Sequence, residues 1–280
     1  MRTLSLGYSP CPNDTFIFYA LVHKKIDTGD LSFSEVLEDV ETLNRMAERS
    51  ELDITKASFH AFGHLRDRYC LLRSGGALGK GCGPLVVARD ALDMKDLAGG
   101  TIAIPGRLTT AFLLLQIFDP SLKDKVKIMP FDRIMEAVSR GDADAGLIIH
   151  ESRFTYQKAG LKKILDLGEW WEKETGRPIP LGGILAKREL GQKTVKEADR
   201  LLRKSIEYAF ENREEPRAYI KRYSQEMEDA VIEQHIDLYV NNYSLDIGID
   251  GAEAVEELLK RAEERGIIPK SEKPLFIDSL

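Results

Sequence analysis

Three features predict an α/β protein of two lobes. Short apolar runs alternate with helix-spaced segments through the first two thirds of the chain, the last third is helical almost throughout, and no Pro/Gly/Ser-rich linker separates the two regions. The helical tail is expected to pack back on the first lobe, which makes that lobe discontinuous: residues 1–88 with 186–280 form the larger lobe, and 89–185 the smaller. The chain then crosses between lobes near residues 88 and 186, and two crossings form a hinge suited to closing on a small molecule.

Leu4–Tyr8 reads as a strand, followed by helical spacing over Asp14–Lys25, with Asn13 or Asp14 able to cap it. Phe33–Leu37 reads as a strand, Val40–Arg49 as a helix, Leu52–Ser58 as a strand and Phe59–Arg68 as a helix. Tyr69–Arg73 and Pro84–Arg89 are strand-like and flank the Gly-rich segment Ser74–Gly83. A second unit begins near Asp90: strand Thr101–Ile104, helix Thr109–Phe118, strand Val126–Met129, helix Asp132–Arg140, strand Ala145–Ile149, then Ile164–Leu167 and Gly183–Ala186. Helical patterns follow over Val195–Glu211, Arg213–Tyr223, Asp229–Val240 and Gly251–Gly266. The alternation argues for parallel sheets covered by helices.

The 280 residues are 43% hydrophobic and 31% charged, with a net charge of −6. This composition suits a globular protein and argues against nucleic acid as a partner, since phosphate neutralisation needs a basic surface. Cys11, Cys70 and Cys82 are odd in number and widely spaced, without CxxC or Cys/His ligand spacing, so neither a disulfide framework nor a zinc site is expected. The first ten residues lack an apolar signal core, and no apolar run approaches a membrane span of ~20 residues. A cytoplasmic protein with a small-molecule substrate and no membrane partner is expected; a homodimer is left open.

Four segments could carry chemistry. Ser9-Pro10-Cys11-Pro12-Asn13-Asp14-Thr15-Phe16 joins a strand to a helix, where ligands bind in open α/β sheets, although local chemistry alone favours a rigid turn with an Asn/Asp cap. Lys56-Ala57-Ser58 ends a strand, where a cation, a backbone N–H and a hydroxyl could hold a carboxylate or polyhydroxy ligand, or simply end the strand and cap a helix. In Pro105–Phe112, Thr109 and Thr110 open a helix as an anion cradle, or Thr109 is a plain cap; the segment is neither a P-loop nor a dinucleotide fingerprint. In Ala145–Arg153 an apolar strand delivers His150, which titrates near neutral pH and can accept a proton, although a lone histidine is more often structural. Glu151, Asp14 or Arg153 could orient it. Of the other histidines, His23 lies in a surface-like helix, His60 and His64 share a helix face without a third metal ligand, and His235 sits in the helical tail. No metal is expected, and no Gly-x-Ser-x-Gly elbow supports acyl transfer.

The strings Ser9–Ala20, Leu37–Asn44, Leu72–Gly79 and Gly146–Tyr156, in this order over nearly the whole chain, resemble the 1,4-dihydroxy-6-naphthoate synthases of futalosine-pathway menaquinone biosynthesis. That resemblance implies a two-lobed, periplasmic-binding-protein-like (type II) fold and a carbon–carbon lyase without cofactor, which converts cyclic dehypoxanthinyl futalosine to 1,4-dihydroxy-6-naphthoate and dihydroxyacetone. It also implies His150 as the base, with ligand contacts at Lys56, Ala57, Ser58, Thr109 and Thr110. Asn13, Asp14 and Arg153 are expected to support the site. Two positions depart from the family pattern: Ala57 stands where a larger apolar residue is common, and Leu108 where a histidine is common. The rival readings are a non-enzymatic solute-binding protein, which shares the fold, and chorismate dehydratase, the sister enzyme; the Ile-Ile-His-Glu-Ser-Arg string favours the naphthoate synthase.

Overall fold

A computed structural model describes residues 2–90, 93–224 and 228–277, so the outer lobe limits at 1 and 280 lie outside the described residues. The first sheet is built from β1 (Arg2–Tyr8), β2 (Leu31–Leu37), β3 (Ile54–Ser58), β4 (Tyr69–Leu71) and β5 (Ala77–Gly79), with helices α1 (Pro12–Val22), α2 (Val40–Glu48) and α3 (Phe59–Leu65) between them. The chain then enters a second sheet: β6 (Leu85–Ala88), β7 (Ile102–Ile104), β8 (Val126–Ile128), β9 (Ala145–Ile148) and β10 (Lys162–Asp166), with α4 (Thr110–Phe118), α5 (Phe131–Arg140), α6 (Ser152–Thr155) and α7 (Leu167–Thr175). It returns through β11 (Ile179–Lys187) and finishes in α8 (Gln192–Glu211), α9 (Arg217–Tyr223), α10 (Asp229–Tyr239), α11 (Asn242–Leu245) and α12 (Gly248–Glu264).

Strand order is β2-β1-β3-β11-β4 in the first sheet, with β5 also on β11, and β10-β6-β9-β7-β8 in the second. The sheets are mixed rather than parallel. β1 runs parallel to β2 and β3, and β7 to β8 and β9, but β11 is antiparallel to β3, β4 and β5, and β6 is antiparallel to β9 and β10. Parallel neighbours need a helical crossover to bring the chain back to the same end. β6 and β11, the first strands after each change of sheet, instead pair antiparallel with their neighbours.

The passages fall earlier than residues 88 and 186, because β6 already belongs to the second sheet and β11 enters the first at Ile179. The apolar run of β6 reads the same whichever sheet receives it, so its pattern alone could not place the crossing. β5 lies inside the Gly-rich segment taken as a separator; pairing with β11 makes it a strand despite its poor propensity. The helix expected from Arg213 starts only at Arg217, after Pro216, in keeping with the bias of residues before proline away from helical backbone.

The tail folds back as expected. α8, α9 and α10 pack on α1, and Val195, Leu201, Ile206, Ile232 and Ile236 share a core with Leu4, Leu6, Phe16 and Ile17. α12 lies against β11, α3 and α4. Among the described residues no helix is long and apolar enough to cross a membrane.

Candidate active site in the cleft between the sheets

β1, β3, β9 and α4 all end or begin at one cleft, where about 670 Å³ of non-atom space, mouth included, lies between residues of the two sheets. Most of the expected residues meet there: Asn13 and Asp14 from α1, Lys56, Ala57 and Ser58 from β3, Thr109 and Thr110 at the start of α4, and His150 after β9.

The α1 end of the cleft is an ion-pair network. Asp14, 1% exposed, accepts from the Ser9 hydroxyl at 2.7 Å, the Ser9 N–H at 3.1 Å and the Asn13 side-chain amide at 2.8 Å. The Lys56 ammonium lies 3.0 Å from the same carboxylate. Two expectations change here. Neither Asn13 nor Asp14 caps α1; Cys11 holds the cap position without a side-chain bond, because the Asp14 carboxylate is committed to Ser9 and Lys56. Lys56 is not a solvated strand-end cation but the buried partner of Asp14, so its charge is already compensated before any substrate arrives.

Ser58 and the threonines are likewise tied into the protein. The Ser58 N–H donates to Asn44 Oδ1 at 2.9 Å, and the Ser58 hydroxyl accepts from Asn44 Nδ2 at 3.2 Å. Ser58 occupies the cap position of α3 without making a cap bond. Thr109 does cap α4: its hydroxyl accepts from the Phe112 N–H at 3.3 Å and donates to the Gly106 carbonyl at 2.9 Å. Thr110 joins the sheets, its hydroxyl accepting from the Phe59 N–H at 2.9 Å and donating to the Leu181 carbonyl. Thr109, Thr110 and Ala111, which open α4, all line the cleft. Glu41 of α2 completes the clasp, accepting from the Arg107 and Leu108 N–H groups at 3.1 and 3.2 Å. Leu108 contributes backbone here, its carbonyl also accepting from Asn44.

His150 sits just beyond β9 with φ of 55°, in the left-handed region that a side chain with a Cβ rarely adopts. Such conformations cluster at functional sites. Burial pushes its imidazole down to about 4; Asp14 opposes that shift, and Lys56 adds to it. The ring is therefore neutral near pH 7 and able to accept a proton.

Arg153 bonds elsewhere than to His150. It donates to the Gly83 carbonyl and pairs with Asp166 at 2.8 Å, fastening α6 to the passage into β6 and to the start of α7. The neighbour missed by sequence reasoning is His235 of α10, whose ring stacks on His150 with centroids 6.1 Å apart and planes 9° from parallel. Its Nε2 lies 2.9 Å from Asn13 Oδ1, 222 residues away in sequence, and no local motif marks it. Tyr239 and Cys82 also reach the cleft.

His60 is buried with Nδ1 against the Thr109 carbonyl at 3.3 Å, and its ring lies 5.5 Å from that of His64. Among the described residues the donor atoms of Cys11, His150 and Glu151 lie within 4.8 Å of one another. Burial and the Glu151 charge hold the Cys11 thiol well above its ordinary value, which favours the protonated form and not the thiolate a metal needs.

Two mixed sheets, joined by two passages of the chain and lining one cleft, define the class of periplasmic-binding-protein-like α/β folds. A solved Candida albicans protein described as exhibiting the generic periplasmic binding protein fold matches with a TM-score of 0.70, over 98% of this chain and 94% of that one, at 17% identity. The family model described as menaquinone biosynthesis matches residues 4–264, and the chain belongs to that family. Proteins named 1,4-dihydroxy-6-naphthoate synthase from Thermus thermophilus and Streptomyces coelicolor are 50% and 45% identical to it, covering 99% and 95% of this chain and 100% and 95% of theirs. A crystal structure of an Archaeoglobus fulgidus protein matches with a TM-score of 0.89 at 39% identity, over 95% of this chain and 98% of that one.

Proposed function

We propose that this chain is a cytoplasmic 1,4-dihydroxy-6-naphthoate synthase, converting cyclic dehypoxanthinyl futalosine to 1,4-dihydroxy-6-naphthoate with release of dihydroxyacetone as a carbon–carbon lyase. The reading is carried by His150, at φ of 55° on the wall of the cleft, in a chain half identical to an enzyme of that name over its full length. The start of α4, with Thr109 and Thr110, holds one hydroxyl-rich or anionic end of the substrate, and the Lys56-Ala57-Ser58 strand end holds another. The two passages between sheets act as a hinge, and closure excludes water and orients the scissile bond. His150 removes a proton, elimination opens the ring, and formation of the second aromatic ring favours product. The residues do this without a cofactor.

The test is direct. The purified chain, incubated with cyclic dehypoxanthinyl futalosine, is expected to yield the dihydroxynaphthoate and dihydroxyacetone in equal amounts by chromatography. Absence of both products, or dehydration of chorismate in a parallel reaction, would overturn the assignment.

A further inference from the structure

His235 has a bare ring nitrogen whose tautomer its neighbours determine. Asn13 Nδ2 donates to the Asp14 carboxylate at 2.8 Å, which fixes the orientation of the amide and leaves Asn13 Oδ1 as an acceptor. Opposite that oxygen, at 2.9 Å, His235 Nε2 must carry the hydrogen. In a neutral imidazole the other nitrogen is then an acceptor only. That Nδ1 is buried and, among the described residues, has no hydrogen-bond partner, in a side chain that is 0% exposed and lines the cleft beside His150. The ring stays neutral because burial and the nearby His150 and Lys56 all lower its proton affinity. An unsatisfied acceptor buried at this depth is costly unless a ligand completes it.

We propose that His235 Nδ1 accepts a hydrogen bond from a hydroxyl of the bound substrate, which makes His235 a specificity-determining contact of the same site. The inference rests on the naphthoate synthase reading, whose substrate carries sugar-derived hydroxyls. Ring stacking against His150 places this acceptor next to the proposed base, so the two histidines do different jobs: one orients a hydroxyl and the other takes a proton. A site built to bond a hydroxyl discriminates strongly against an analogue without one, because the protein group is then left unsatisfied.

Two substitutions separate this role from a structural one. Glutamine places its amide nitrogen where Nε2 stands, so His235→Gln keeps the bond to Asn13 and removes the Nδ1 acceptor. Asparagine places its amide oxygen near Nδ1, so His235→Asn keeps an acceptor and loses the Asn13 bond. With cyclic dehypoxanthinyl futalosine as substrate, kcat/KM is expected to fall about 10- to 100-fold in His235→Gln, mostly through KM, and about fivefold or less in His235→Asn. A His235→Gln enzyme within threefold of wild type, or a His235→Asn enzyme as impaired as His235→Gln, overturns the inference while leaving the functional reading intact. A wild-type chain that does not convert the substrate overturns both.

A second measurement does not depend on either variant folding. Nitrogen-15 spectra of the histidine-labelled His150→Ala chain should contain an unprotonated Nδ1 resonance from His235 that moves upfield as cyclic dehypoxanthinyl futalosine is added. A resonance that stays in place at saturating substrate overturns the contact.

Discussion

The Lys56 ammonium and the Asp14 carboxylate lie 3.0 Å apart in the lining of the cleft, the side chains 8% and 1% exposed. A pair this deep is worth little against an apolar replacement of both partners, but breaking it strands a charge. Lys56→Met is therefore expected to lower unfolding free energy by about 3–5 kcal/mol in urea titrations. Adding Asp14→Asn should recover more than half of that loss. A single variant as stable as wild type would show that Asp14 finds another partner.

Removal of the His150 imidazole should separate chemistry from folding. His150→Ala is expected to lower kcat by about 10²–10⁴-fold, the usual contribution of a general base, with the fold retained in circular dichroism. The backbone at this position, with φ of 55°, adds a second comparison. His150→Gly should be more stable than His150→Ala by roughly 1 kcal/mol, since alanine pays for the left-handed conformation and glycine does not.

The pH profile follows from the sign of the shift. The base works when neutral, and burial holds the folded-state value at about 4, below the ordinary histidine value of 6.5. Activity should persist as pH falls through 6.5 and be lost as it falls through about 4, read as the acid limb of kcat/KM for the free enzyme. Stability runs in the same direction. The unfolded chain takes up the proton first, so this histidine destabilises the fold progressively between pH 6.5 and about 4. An acid limb centred near 6.5 would contradict the lowered proton affinity of this base.

The two threonines should differ in what they cost. Thr109→Ala removes a helix cap worth about 0.5–2 kcal/mol. Thr110→Val leaves the Phe59 N–H without its hydroxyl acceptor and should cost about 1–3 kcal/mol in thermal or urea unfolding. If the start of α4 holds substrate as proposed, both variants also raise KM more than they lower kcat. Unchanged KM values in folded variants would remove the threonines from the substrate contacts.

Much of the architecture follows from local pattern. β1, α1, β3 and α4 announce themselves through apolar runs and helical spacing, because side-chain periodicity is set by backbone geometry within a few residues. The loops after β1, β3, β7 and β9 could be picked out as candidate site segments for the same reason: strand ends that lead into helices are local features. The Thr109 cap was legible too.

Only the tertiary structure decided what those segments do with their polar groups. Lys56 reads as an uncompensated cation at a strand end, and only the fold pairs it with Asp14, 42 residues away. Arg153 reads as a guanidinium near His150, and only the fold gives it Asp166 and the Gly83 carbonyl as partners. Thr110, Glu41 and Asn44 become clasps between the sheets only when segments far apart in sequence meet. His235 has no local mark at all; the packing of α10 against α1 brings it to Asn13 and His150. Periodicity is written along a single segment, whereas hydrogen-bond partners, burial and proton affinity belong to pairs of segments that touch only in the folded chain.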